Sequence, residues 1–224
     1  MRKALTFARL DFLTLKPFIT WKVLLAGVLM PVFLVWSNRS FPFAMSTIVM
    51  MGALYVSYPF AVGEKNGIDS LYATLSIGRS AVVLGRYVFS LLLNLCAGVL
   101  AYGIVFVSCL VLNIPFAPLE ALLILLVLLG VFIFSQAFQL PVFFKLGHTK
   151  GKFISYLPFF ILPLGVVLIN ALTDRFSLTD NLSVFFFWLF EQPALLGGIC
   201  LAVLALVELV SYRVSLAFYR KRDF

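Results

Sequence analysis

The sequence predicts an all-α integral membrane protein in which six transmembrane helices follow an N-terminal amphipathic helix. Composition is the first observation behind this prediction: of 224 residues, 63% are hydrophobic and 12% are charged, with a mean hydropathy of +1.10. Soluble domains hold about 45–50% apolar and about 25% charged residues, so one globular core cannot bury this excess. The composition excludes a disordered chain, a secreted disulfide scaffold and a cytosolic enzyme.

The first element is the segment 1–17, MRKALTFARLDFLTLKP. Four of its apolar residues fall on one helical stripe: Leu5, Ala8, Phe12 and Leu15. Phe7 and Leu10 fall off this stripe. Basic residues lie beside the stripe at Arg2, Arg9 and Lys16. The pattern predicts an amphipathic helix at the inner membrane interface, and a simple anchor for anionic lipid is the alternative.

Six stretches without Asp, Glu, Lys or Arg are the second observation: residues 23–38, 40–63, 87–119, 121–144, 153–173 and 192–207. Each is long enough to cross a bilayer once its flanks are counted. The turn residues Asn113, Pro115 and Pro118 separate the third span from the fourth. Because no internal repeat or low-complexity linker divides the chain, residues 1–224 are expected to form a single transmembrane domain.

The distribution of basic residues is the third observation. All but two of the 17 Lys and Arg residues fall in segments on one side of the six spans, and the exceptions are Arg39 and Arg175. The positive-inside rule therefore predicts a multi-pass protein with both termini in the cytoplasm. The same rule accounts for the net charge of +8, so a nucleic-acid partner is not expected.

Catalytic and metal-binding motifs are missing from the sequence. The cysteines at 96, 109 and 200 lie singly in apolar runs, which indicates small core hydrophobes, and His148 lies in a basic loop. No phosphate-binding glycine loop is present, so the chain is not expected to be an enzyme or to hold a cofactor. Glu208 is expected near the inner end of the last span, with Arg213 as a candidate partner.

The spans carry neutral polar residues in place of charges. Four of them define a candidate substrate path, mostly apolar in its surroundings: Asn94, Gln136, Gln139 and Asn170. Such a path suits an amphiphile better than an ion or a sugar. Hydrogen bonding between helices is the simpler interpretation of each residue taken alone.

The loop after the second span has an apolar stripe that a cytoplasmic loop does not need. Ile68, Leu71, Tyr72 and Leu75 recur at helical spacing, and Asp69 supplies an acidic start. Ser80 is a candidate cap for the next helix, close to Arg79. This docking segment, residues 64–80, is predicted to bind a soluble partner, and a helix lying flat on lipid is the alternative.

These residues carry a resemblance to a known family. The runs ARLDFLTLKPF and EKNGIDSLYATLSIGRSAVVLGRYV resemble the permease subunits of ABC-2 type ATP-binding-cassette exporters. They look most like the short stand-alone permeases of bacterial peptide and antibiotic exporters, including the phenol-soluble modulin type. Eight residues match the positions of the first inner loop in that group: Glu64, Lys65, Asn66, Asp69, Leu75, Arg79, Arg86 and Tyr87. Ser76 stands where the group has proline and Gly78 where it has serine, and the run 141–147 resembles the second inner loop.

The resemblance implies a type V exporter-like fold in the bacterial cytoplasmic membrane. Two permease subunits, identical or different, would pair in the lipid bilayer, and each would dock its coupling helix, with Arg79, into a separately encoded ABC ATPase. ATP and Mg²⁺ would bind that partner and not this chain. Residues 173–193 would contain short re-entrant outer helices, although their aromatic residues also fit an interfacial belt.

A second hypothesis comes from a different functional class. An uncoupled membrane binding protein would need the same spans but no ATPase. It could be a substrate-capture subunit of an uptake system or a bacteriocin immunity protein. The stripe from Ile68 to Leu75 favours the exporter, because sequestration of a ligand needs no cytoplasmic docking surface.

Overall fold

The computed structural model describes the backbone of residues 2–68, 78–176 and 193–221, and their side chains except those of 2–5, 159–160, 162–176, 193–194 and 196. Every regular element in these ranges is helical. The helices are α1 (Arg2–Leu15), α2 (Trp21–Asn38), α3 (Pro42–Tyr55), α4 (Tyr58–Lys65), α5 (Arg79–Val111), α6 (Pro118–Phe176) and α7 (Pro193–Arg220). The predicted all-α fold is confirmed.

The helical run of α6 is broken at Gly147, whose φ of 76° and ψ of 178° are not helical. Glycine suits this position because a positive φ is strained for other residues. The break divides α6 into a first arm, residues 118–146, and a second arm, residues 148–176. The chain thus has helices at the positions of all six predicted spans.

Five stretches of the described residues are long and apolar enough to cross a membrane: Trp21–Asn38, Pro42–Lys65, Arg79–Val111, Pro118–Pro158 and Gly197–Arg220. The second contains α3 and α4, which meet at a turn before Pro59. The predicted span 153–173 lies in the second arm of α6, where most side chains are outside the described set. These stretches agree with the predicted multi-pass membrane protein.

Contacts place the segments between the helices at two separate ends. Phe41, between α2 and α3, lies 5.3 Å from Phe116, between α5 and α6, ring centroid to centroid. At the other end Arg79, the first residue of α5, donates a hydrogen bond to the carbonyl of Arg220 in α7. We call the second the basic end, because the segments rich in Lys and Arg meet there.

The buried apolar residues that the structure describes form three clusters. One, near Phe41, includes Met45, Val105 and Phe132, and another, at the basic end, includes Phe60 and Phe143. A smaller third cluster joins Ala8 and Leu15 of α1 to Phe89 of α5. In the first cluster α3 packs closely on α5, since a Cβ added at position 52 would lie 2.5 Å from the Cβ of Ala97. Only glycine permits that approach.

Burial in α1 differs from the predicted stripe. Ala8 and Leu15 are buried as expected, but Phe7 and Asp11 are buried as well. The reason is that α1 packs against α4 and α5, so protein and not only lipid covers one of its faces. The helix was predicted correctly and its contact surface only in part.

The cysteines and the histidine also differ in part from expectation. Cys109 is buried, whereas Cys96 and Cys200 are exposed on the helix bundle, so the prediction of core positions was wrong for these two. A bilayer solvates apolar side chains, and hydropathy therefore does not separate core from lipid-facing positions. His148 begins the second arm of α6 and stacks on Phe143 at 5.8 Å between ring centroids.

Candidate functional site

The docking segment joins α4 to α5 at the basic end. Ile68 is half-buried at the edge of the described residues, and Arg79 is exposed at the start of α5. The other predicted docking residues, Asp69, Leu71, Tyr72 and Leu75, lie outside the described residues, so the docking helix stays a prediction. The structure contributes the position of both ends of the segment, which α4 and α5 hold at the basic end.

The cap of α5 differs from the sequence prediction. Gly78 occupies the N-cap position, and its carbonyl accepts hydrogen bonds from the amides of Ala81 and Val82. Ser80 lies inside the helix and not at its cap, so that prediction was wrong. With Ser80 as the cap, the helix would begin at residue 81. It begins at Arg79, two residues earlier.

A buried arginine links three helices at the basic end. Arg86 of α5 is only 4% exposed, and its Nε lies 4.0 Å from an Oδ of Asp11 in α1. The guanidinium carbon also lies 4.0 Å from the ring centroid of Phe60 in α4. A cation this deeply buried needs a charge partner and aromatic or hydrogen-bonding neighbours. Arg86 therefore joins α1, α4 and α5 at the point where the docking segment begins and ends.

Sequence reasoning missed Asp11 as part of this site. It is the only acidic residue among the first 60 of the chain, in a segment that is otherwise basic or apolar. An isolated carboxylate inside a basic amphipathic helix was the available signal, because such a group lowers the affinity for anionic lipid and needs another explanation.

A second carboxylate ties α4 to the second arm of α6. One oxygen of Glu64 accepts hydrogen bonds from the backbone amides of His148 at 2.6 Å and Thr149 at 3.0 Å. These amides are the first two of the helix that follows Gly147, and they have no acceptor within their own helix. Glu64, which the resemblance placed in the first inner loop, therefore contacts the second.

The four candidate substrate-path residues do not form one open site. Asn94 of α5 and Gln136 of α6 are fully buried and exchange two hydrogen bonds, of 2.6 and 3.1 Å. Gln139 is also buried, and its Nε2 has no hydrogen-bond partner among the described residues. Asn170 lies in the second arm of α6, and its side chain is outside the described set.

A hydroxyl cluster joins α5, α6 and α7 between the amide pair and the basic end. The Tyr87 hydroxyl lies 2.5 Å from the Ser211 Oγ and 2.8 Å from the Ser215 Oγ. Ser211 also donates to the carbonyl of Ala137 at 2.5 Å. The three helices are thus connected by neutral groups whose hydrogen bonds are satisfied within the bundle.

Glu208 is half-buried in α7 and makes no ion pair among the described residues. The suggested pairing with Arg213 is wrong. Residues five apart on a helix point roughly 140° away from each other, so the two side chains leave α7 in different directions. In the part of the chain that the structure describes, no group of three or more His, Cys, Asp or Glu residues could hold a metal ion.

Comparison with known proteins gives one match. A family described as ABC-2 family transporter protein matches residues 9–220. Neither the curated proteins nor the solved structures gave a match.

Proposed function

The chain belongs to the ABC-2 family of transporter proteins and is a membrane permease component of an ABC transporter, and we propose that it serves an exporter of amphiphilic cargo. The cargo class is a peptide, an antibiotic or a lipid-like molecule, moved out of the bacterial cytoplasm or the inner leaflet. A partner ABC ATPase supplies the energy, and ATP and Mg²⁺ bind that partner. A second permease subunit completes the transporter in the cytoplasmic membrane.

The observation that carries this proposal is that Glu64, Arg79 and Arg86, which match positions of the first inner loop in the resembling permeases, all lie at the basic end of the bundle. The two ends of the docking segment lie there, at the end of α4 and the start of α5, and Arg86 connects these two helices to α1. An ATPase that presses on this end would act on three helices together. A binding protein without an ATPase has no use for such a connection.

The neutral character of the bundle interior supports an amphiphilic cargo. Apart from the ion pair of Asp11 and Arg86 at the basic end, the buried polar side chains of the described residues are amides and hydroxyls. The groove between α2 and α5 is lined by apolar residues with a single serine, Ser108. Ions and sugars need charged or densely hydrogen-bonding sites in the membrane. Amphiphiles instead need apolar surface with a few polar contacts.

The decisive experiment tests the docking stripe by co-purification with co-expressed candidate ABC ATPases. Replacing Leu71 with Glu and Tyr72 with Lys should abolish co-purification, because burying one such side chain at an interface contributes about 1.5–3 kcal/mol. The matched control changes the polar face of the same predicted helix, Ser70→Glu with Thr74→Lys, and should leave co-purification intact. If the wild-type chain recruits no ATPase but binds amphiphiles, the uncoupled binding protein is the better assignment.

A second experiment tests the orientation. Single cysteines at Asn38 and Asp180 should react with a membrane-impermeant thiol reagent from outside the cell. Cysteines at Asn66 and Thr149 should react only after permeabilisation, because the positive-inside rule places the basic segments in the cytoplasm. External labelling at position 66 would reverse the assignment.

A further inference from the structure

The short helix α4 and the start of the second arm of α6 form an antiparallel pair that is fixed at both of its ends. At one end Glu64 accepts hydrogen bonds from the amides of His148 and Thr149. At the other end the Tyr156 hydroxyl donates to the Ser57 Oγ at 3.4 Å. Ser57 and Glu64 are seven positions apart, as are Thr149 and Tyr156, which corresponds to about 10 Å of helix axis. Two helices that lie side by side in antiparallel directions require this equal spacing between their contacts.

The amides that Glu64 binds need an acceptor from elsewhere in the chain. An N-cap residue usually supplies a side-chain oxygen, but Gly147 occupies this position and has no side chain. A carboxylate is the most favourable substitute, because the helix N-terminus carries a partial positive charge. The glycine that allows the sharp break in α6 thus creates the vacancy that Glu64 fills.

The second arm is also fixed against the first. A Cβ added at position 151 would lie 3.3 Å from the Val142 Cγ1 and 3.4 Å from the Val142 carbonyl oxygen. The two arms therefore fold back closely at the break. A displacement of α4 that reached the amide of Thr149 would therefore act on a closely packed corner of the bundle.

We propose that Glu64 is a positioning residue that joins the two loops of the basic end, so that movement of the docking segment is transmitted through its carboxylate to the second arm of α6. Glu64 is itself the first residue of the docking segment, and the far end of that segment is held separately by Arg79, which donates a hydrogen bond to the carbonyl of Arg220 in α7. A movement of the docking segment would thus reach α6 through Glu64, by a path that does not pass along α5. The inference rests on the proposed function, because it assumes that an ATPase moves the docking segment.

The first measurement tests the contact without any partner. Amide hydrogen exchange at His148 and Thr149 is compared among the wild type, Glu64→Ala, Glu64→Gln and the neighbouring control Lys65→Ala, in detergent. Loss of a helix cap should raise exchange at these two amides by roughly threefold or more in Glu64→Ala. Glu64→Gln should give a smaller rise, since its amide oxygen still accepts a hydrogen bond, and Lys65→Ala should give none.

The second measurement tests transmission in the complex with a co-expressed ATPase. Spin labels are placed at Leu13 on α1 and Lys152 on the second arm, both exposed, with the three native cysteines replaced by alanine. Trapping with ATP and vanadate should shift the distance between the labels in the wild type and in Glu120→Ala, which removes an exposed carboxylate outside the docking segment. In Glu64→Ala the shift should fall to less than half, while the ATPase still co-purifies because the docking stripe is unchanged.

The outcomes separate the two proposals. Unchanged amide exchange in Glu64→Ala, no shift in the trapped wild type, or an equal shift in Glu64→Ala would each overturn the role of Glu64 and leave the permease assignment standing. Failure of the wild-type chain to recruit any ATPase would overturn the proposed function itself. Raised exchange together with a reduced shift would establish Glu64 as the connection.

Discussion

At the basic end the helices are joined by a buried ion pair, a cation over an aromatic ring and a carboxylate on two backbone amides. In the apolar region away from that end, Phe41 packs on Phe116 and, nearer the middle of the bundle, α3 approaches α5 through Gly52, without an ion pair among the described residues. The amide pair of Asn94 and Gln136 lies between the two regions. One bundle therefore uses two kinds of contact.

The membrane explains this difference. Lipid tails are as apolar as leucine, so burial from lipid contributes little to helix association, and close packing of small residues must hold the apolar region together. Near the headgroups, interactions with charged partners and with water can offset the free-energy cost of desolvating a charged group. Contacts there are few and individually strong, which allows single groups to connect segments that a partner ATPase would move under the proposed function.

Arg86 should give the largest loss of stability. Replacing it with Met leaves the buried Asp11 carboxylate without the guanidinium, and breaking one side of a buried ion pair costs about 3–5 kcal/mol. Unfolding by SDS, followed by tryptophan fluorescence, should show this loss. Adding Asp11→Leu should recover part of it, because the buried carboxylate is then removed as well.

The control for this prediction is Arg213→Met. Arg213 is exposed on α7, and surface substitutions usually change stability by less than about 0.5 kcal/mol. If both variants lose the same amount, the basic end is not organised by its buried arginine, and the contrast between the two regions disappears.

Gly52 should give the next largest effect, in the apolar region. Gly52→Val places methyl groups where even a Cβ would lie 2.5 Å from the Cβ of Ala97, and overpacking of this kind costs about 1–3 kcal/mol. Gly27→Val on α2 is the matched control, because nothing lies within 4 Å of a Cβ there. A smaller loss at Gly52 than at Gly27 would show that α3 and α5 are not closely packed.

The helices were predictable from the sequence, because uncharged stretches of membrane-spanning length and the turns between them are local signals. The break at Gly147 falls in the basic segment expected between the fourth and fifth spans. The break before Pro59 was not expected, since an apolar run does not show where a helix interrupts itself. The exposure of Cys96 and Cys200 was not predicted for a related reason. In a bilayer, the same hydropathy fits a core position and a lipid-facing position.

The site was predictable in its chain positions and not in its pairings. Glu64, Arg79 and Arg86 were recognised from the pattern of the first inner loop. Their contacts with Thr149, Arg220 and Asp11 span long stretches of sequence, and no periodicity reports such distances. Asn94 and Gln136 were singled out as polar residues in the spans, but only coordinates show that they bind each other.

The amide pair should give a loss of intermediate size that separates a structural role from cargo binding. Asn94→Leu leaves the Gln136 amide buried without this partner and should cost about 1 kcal/mol. The double variant Asn94→Leu with Gln136→Leu should recover most of that stability. Export that survives in the double variant would show a purely interhelical bond, whereas export lost from a stable double variant would place cargo at these amides.

The smallest effects compare two tyrosines, one from each region. Tyr87→Phe removes the hydroxyl shared with Ser211 and Ser215 in the buried cluster and should cost about 1 kcal/mol, because a buried hydrogen bond contributes about that much. Tyr102→Phe removes only an exposed contact of 3.4 Å to the carbonyl of Pro118, where solvent can take the place of the hydroxyl, so no measurable change is expected. Both variants keep the aromatic ring, and unfolding by SDS then reports the hydroxyl alone. Equal losses at the two positions would mean that polar contacts hold the apolar region as strongly as they hold the basic one.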